Sequence, residues 1–309
     1  ITEGFVLYLP IMFISDYFPF DRMGRSFVFV KALRAALVSL FAILSFKVPW
    51  LKVDLSGRLT GSIEIFLKLG LCAFVLVFLL YDIKPVRQKL LEPGRTLSVY
   101  CFLLASVLFN LCGIMELSLS YSLLEVTIRN PDLSFVYASI LAMALSIICM
   151  LVLGYLSDRR GALCPIIVAV ACGVLSCFLA WVSGKDVRLA FILAGTGIGI
   201  SKVGVALGIC MLTRYIYGKD NFVRAYAIVA LSFPLAAFIT TQIINMILKG
   251  LNIPLTVSSV VDNFDVFTKA LAASFNGVVI SFMFLAAGGL CLLGYKLGQA
   301  GKYRTEARA

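Results

Sequence analysis

The sequence predicts an all-α, polytopic membrane protein, and three observations carry that fold class. Hydrophobic residues make up 61% of the 309 residues and charged residues only 14%, where a soluble domain has roughly 25% charge. Mean hydropathy is +1.02. The apolar residues are gathered into runs approaching or exceeding the roughly 20 residues that cross a bilayer core, with short polar loops between them.

Nine such runs follow one another: 4–18, 27–46, 63–81, 97–119, 135–156, 163–182, 189–215, 222–248 and 269–293. The first is short because the sequence begins inside it. Nothing between the runs is long enough for a separate soluble domain. The polar stretch 82–95, with Lys84-Pro85 and Glu92-Pro93-Gly94, divides three runs from a block of six. The expected organisation is therefore residues 1–81, a cytoplasmic linker at 82–96, a six-helix unit at 97–296 and a cytoplasmic tail at 297–309. A start at Ile1, with no signal-peptide n-region, points to a fragment whose upstream helices are missing.

The net charge of +11 belongs to topology. Assigning loops to alternate sides puts seventeen Lys and Arg on one side and eight on the other, with Lys68 and Lys202 inside runs. The richer side holds Arg22 and Arg25, Arg159 and Arg160, and the basic C-terminal residues. Cytoplasmic loops carry such an excess, so the expected location is the inner (plasma) membrane with the C-terminus inside. A charge spread over loops in this way is no nucleic-acid patch.

Nine cysteines all fall in apolar runs, none in a Cys-x-x-Cys pair, and there is no histidine. Zinc sites, imidazole-ligated haem and His-based acid–base catalysis are thereby disfavoured, and no metal or cofactor is expected. No Gly-x-x-x-x-Gly-Lys-Ser/Thr motif is present to drive an ATP pump.

Between the fifth and sixth runs lies a charged island, Gly154-Tyr155-Leu156-Ser157-Asp158-Arg159-Arg160-Gly161. It has the composition of a tight turn: Asp158 is expected to cap the following helix, with Arg159 and Arg160 in the aqueous layer. Its pattern, Gly-x-Leu-x-Asp-Arg-x-Gly, resembles the loop signature of the major facilitator superfamily of secondary transporters, where it joins the second and third helices of a six-helix half. Leu7-Tyr8-Leu9-Pro10-Ile11, the following Asp21-Arg22-Met23-Gly24, and Gly195-Thr196-Gly197-Ile198-Gly199 resemble motifs of the fourteen-spanner drug:proton antiporter group. In a twelve-spanner the first three runs would be the fourth to sixth helices. In a fourteen-spanner they would be the sixth and two linker helices.

Several residues stand out against lipid. Lys202 sits near the middle of its run, where a cation costs about 2.5–3.5 kcal/mol or more. The resemblance makes its helix the tenth of twelve and a lining of the central pathway. Asn110 and Glu116 lie on the helix corresponding to the seventh, also pathway-lining, with Gly113 between them to permit a break. Gly195/Gly199 and Gly204/Gly208 form small-xxx-small pairs suited to close helix packing. Pro234 removes a backbone donor and is expected to kink its helix. Gln242 and Asn245 are weaker polar candidates on the same helix.

The expected function is secondary active transport of a small molecule by alternating access between two six-helix bundles. The resemblance favours proton-coupled efflux of amphipathic compounds. An uptake carrier of the same superfamily is the alternative, and a membrane-embedded lipid-modifying enzyme the alternative of a different class. The expected partners are a small-molecule substrate, a coupling proton and the lipid bilayer.

Overall fold

A computed structural model describes residues 19–33, 93–114, 134–182, 187–254, 263–274 and 276–306, and no strand occurs among them. The runs at 4–18 and 63–81, most of 27–46, and Glu116 lie outside these residues. A 3-10 turn, Phe20–Arg22, follows Pro19 and leads into α1, residues 23–33. Then come α2 (Pro93–Leu111), α3 (Ser134–Arg160), α4 (Cys164–Val182), α5 (Val187–Ala230), α6 (Ser232–Gly250), α7 (Phe264–Ser274) and α8 (Gly277–Glu306).

Among the described residues, four stretches are long and apolar enough to cross a membrane: Ile140–Arg160, Gly195–Lys219, Asn221–Gly250 and Gly277–Ala300. Leu97–Leu111 and Cys164–Leu179 are shorter apolar helices. How side chains are sorted between inside and outside supports a lipid environment. On α3 the buried positions are Ala142, Ser146, Met150, Leu153, Gly154 and Ser157, while Leu141, Leu145, Ile148 and Val152 are exposed. An amphipathic helix of a soluble protein would turn charged and polar residues outward. Here the outer face is the more apolar one. Inside, Ser146 and Ser157 donate to the carbonyls of Ala142 and Leu153 at 2.8 and 2.7 Å, so their hydroxyls are satisfied without water.

Local chemistry sets the helix ends, and several differ from hydropathy-based expectation. Pro93 opens α2 inside the expected linker, a position where its missing N–H costs nothing. The charged island is not a loop: α3 continues through Asp158 to Arg160 and stops at Gly161, whose φ of 88° needs a residue without a side chain. Gly218, with φ 68°, breaks α5 into arms 187–217 and 219–230. Asn252, at φ 56°, ends α6, with Ile253 N–H donating back to Leu248 O at 3.0 Å. The expected run 269–293 is two helices. Asn276 separates them and caps α8, its side-chain oxygen accepting from Val278 N at 3.1 Å and Val279 N at 3.0 Å. Lys269 thus belongs to α7, and α8 runs on past residue 296 to Glu306.

The main core joins α2, α4, α5 and α8 around Phe102, Phe109, Ile166, Ile198, Leu212 and Phe284. A second cluster packs Met23, Phe27 and Val28 of α1 against Met150 of α3 and against Leu207, Met211 and Phe222 of α5. A third holds α6 and α7 to the far end of α2 through Leu111, Ile114, Leu248, Phe267 and Leu271. The first element is thereby tied into the same bundle as the later helices.

Candidate functional site

Two polar features matter, one at the charged end of the bundle and one midway along it. At the charged end, α1 crosses α3 where both carry glycine. A Cβ built on Gly24 would lie 2.7 Å from the Gly154 carbonyl oxygen, and one on Gly154 would lie 3.0 Å from the Gly24 carbonyl oxygen. Backbones approach this closely only because neither residue has a side chain. The approach brings the Asp158 carboxylate to the start of α1. One oxygen accepts from Gly24 N–H at 2.6 Å, and the other accepts from Arg25 N–H at 3.1 Å and Arg25 Nε at 2.8 Å.

The Asp158 side chain is only 1% exposed, against 55% for Arg25. A buried carboxylate requires this kind of satisfaction: charged hydrogen bonds together with the positive end of a helix dipole. The expected cap on the following helix is therefore corrected. Asp158 caps α1, a partner 134 residues away, while Cys164 N–H at the start of α4 bonds to Gly161 O at 3.1 Å. Arg159 and Arg160 occupy the exposed last turn of α3, where cations oppose the negative end of its dipole. The Arg159 guanidinium lies 4.5 Å from the Tyr155 ring centroid and that of Arg25 5.6 Å, so one aromatic ring bridges the two cations.

The candidate glycines of α5 divide by face. Gly204 abuts the Pro165 carbonyl, 2.8 Å from a hypothetical Cβ, and Gly208 abuts Ile166. Gly199 faces the Ser146 hydroxyl of α3 at 3.2 Å, whereas Gly195 has nothing within 4 Å. Gly197, which the pairwise motif passes over, meets Ser176 and the Cys172 carbonyl of α4. Ser201 lies on the same seam and donates to Ala169 O at 2.7 Å. The α4-facing series is thus 197, 201, 204, 208, which the helical spacing of three and four residues generates. Gly195 falls outside it.

Midway along the bundle, Lys202 lies fifteen residues from Val187 and sixteen from Gly218 in the first arm of α5, about 22–24 Å from either end. Its neighbour Ser201 is buried, but Lys202 is exposed. Its Cε and Nζ come within 3.0 Å of where a Cβ on Gly113 would be. Regular α2 ends just there, at Leu111, with a turn at Cys112. Asn110, one turn before Gly113, is half-buried and donates to Ser106 O at 2.7 Å. Ser106 in turn shares a 2.8 Å hydroxyl contact with Ser232 at the start of α6. The chain between α5 and α6 passes through a turn at Leu231, three residues before Pro234, which has no N–H for the Ala230 carbonyl. Gln242 and Asn245 lie further along α6, exposed and half-buried respectively.

Lys202 and Asn110 are thus brought to one region around Gly113, while Asp158, Gly154 and Gly24 form a separate contact. Sequence reasoning missed Gly24 and Arg25 as partners of Asp158. Asp21-Arg22-Met23-Gly24 was visible as a motif, but its pairing joins segments too distant for spacing to reveal. Among the described residues no group of three or more Cys, Asp and Glu could hold a metal ion. No protein-family model, curated protein or solved structure matches the chain.

Proposed function

We propose that the chain acts in secondary active transport, moving a small amphipathic molecule across the membrane by alternating access, with a proton as the coupling ion. The observation that carries this is the Asp158 contact with α1. A buried carboxylate at one end of the bundle holds the first turn of a helix that comes from the other side of the long 34–92 interval. Such a contact fixes one arrangement of the two segments and must break if they rock apart. Its strength comes from charge and direction, which makes it a discrete latch. The fit of this latch to the resemblance carried by Gly154, Asp158, Arg159 and Gly161 adds support. In this proposal the latch sits on the cytoplasmic side, as the basic bias of the loops implies.

The test is solute flux in proteoliposomes of the full-length protein under an imposed pH gradient. Its solutes are fluorescent amphipathic compounds, cationic ethidium and anionic carboxyfluorescein. Asp158→Asn retains the shape and one acceptor but removes the charge, so the protein should still fold and flux should fall at least about tenfold, the equivalent of one charged hydrogen bond. Unchanged flux in that variant would remove the latch from the mechanism, and no flux of either solute would count against transport of this class.

A further inference from the structure

We infer that the crossing of α1 and α3 binds an anionic phospholipid, its headgroup phosphate held between Arg25 and Arg159 and an acyl chain laid along the exposed face of α3. The inference needs no transport activity and goes beyond that proposal. Two stripes descend from the charged end of the bundle. On α3, Arg159, Tyr155, Val152 and Ile148 are exposed, and their spacings of four, three and four residues keep them on one helix face. On α1, which starts at Asp158 and runs away from it, Arg25, Phe29 and Leu33 are exposed at spacings of four. Each stripe passes from a cation to an aromatic ring to aliphatic side chains. From Arg159 to Ile148 is eleven residues, about 16 Å, which is about the hydrocarbon depth of one leaflet.

The two cations converge on one ring. Cζ of Arg159 lies 4.5 Å and Cζ of Arg25 5.6 Å from the Tyr155 centroid, so the guanidiniums are no more than about 10 Å apart. Among the described residues, the Arg159 side chain has no hydrogen bond or ion pair, and that of Arg25 uses only Nε, toward Asp158. Asp158 itself is buried and taken up by the start of α1. The terminal nitrogens of both guanidiniums are thus left for another acceptor, and their planar forks match phosphate oxygens. An exposed tyrosine beside them suits the headgroup layer, where aromatic rings collect. A zwitterionic headgroup would bring its own cation to this pair, whereas an anionic one meets attraction alone. The contrast is α4, where Ile167, Leu175 and Phe178 are exposed but no Lys or Arg lies between residues 161 and 182. That face offers a chain its apolar surface and gives the phosphate no partner.

The experiment uses full-length protein in vesicles of equimolar dioleoylphosphatidylglycerol and dioleoylphosphatidylcholine. The photoreactive residue p-benzoylphenylalanine replaces Ile148 or, as a reference at similar depth on α4, Leu175, and the lipid adducts are counted by mass. Two cations near the surface favour the anionic lipid about thirtyfold and one about fivefold. The glycerol-to-choline lipid ratio at position 148 should therefore be about thirtyfold that at position 175, falling to about fivefold with Arg159→Gln. Arg159→Lys should stay within about twofold of wild type, which separates charge from any effect on folding. Glycerophosphoglycerol, the headgroup without chains, should not displace the lipid even in large excess. Displacement would make this a site for a free phosphodiester and overturn the lipid. Equal ratios at positions 148 and 175, or a ratio at 148 indifferent to Arg159→Gln, would reduce the stripe to ordinary lipid contact and overturn the site. Capture of a peptide at 148 would mean that protein covers the face, which also overturns it.

Discussion

Asp158 and Lys202 bear opposite charges within one helical bundle, and the fold treats them in opposite ways. Asp158 is 1% exposed and has all its close partners in the protein: two backbone N–H groups and one guanidinium. Lys202, about 24 Å further along α5 from the Gly218 end, is exposed beside a glycine that keeps space clear for it. A buried charge with fixed partners contributes to structure, and removing it leaves those partners stranded. Lys202 has interactions of its own within the protein but lies on the exposed side of its helix, where a substitution costs less than at a buried site. The difference separates a charge satisfied inside the fold from one placed at its surface.

The comparison breaks first if Asp158 proves dispensable to folding. Asp158→Ala removes three charged hydrogen-bond acceptances and should destabilise the protein by about 3 kcal/mol, after discounting Arg25 for its exposure. Thermal unfolding in detergent would measure it, and a change below about 1 kcal/mol would make the contact incidental. A smaller loss is expected at the crossing itself. Gly154→Ala puts a methyl group against Gly24 O and Val28 Cβ, both at 3.0 Å, and should cost about 1–3 kcal/mol as α1 is pushed from α3. Partial rescue of that loss by Val28→Ala, which removes Cγ2 at 3.1 Å but leaves Cβ, would show that α1 can settle back, whereas persistence would point to the backbone oxygen and Cβ. Smallest of all should be Lys202→Gln, within about 0.5 kcal/mol of wild type in the same assay. A collapse of the folded protein would instead make Lys202 the second structural charge, erasing the contrast.

Hydropathy made most of the described bundle legible, because lipid demands long apolar helices and sequence displays them directly. It also exposed Lys202, since a mid-run cation needs no structure to be conspicuous. The parts that were not legible depend on long-range contact or on small polar residues inside apolar runs. The island looked like a loop because Asp158, Arg159 and Arg160 are unsuited to lipid. The helix nevertheless continues, because Asp158 finds a helix N-terminus and the arginines sit in the final turn. Asn276 is a good cap in the sequence as well, yet hydropathy averages across it and joins α7 to α8. Small-xxx-small spacing found Gly204 and Gly208 but paired Gly195 with Gly199 where the packed face runs through Gly197. A spacing rule gives neighbours along one helix and cannot say which side another helix occupies.

The Asp158 contact also has a consequence in time. Gly24 leaves the ribosome 134 residues before Asp158, an interval of about 7–27 s at the usual synthesis rates. Throughout that interval the first turn of α1 exists without its acceptor. Two backbone donors and Arg25 must be kept hydrated or held by lipid headgroups and the insertion machinery until α3 arrives. Order of synthesis thus makes the start of α1 wait for α3, which supplies its acceptor, and its apolar face wait longer still, for Leu207, Met211 and Phe222 of α5.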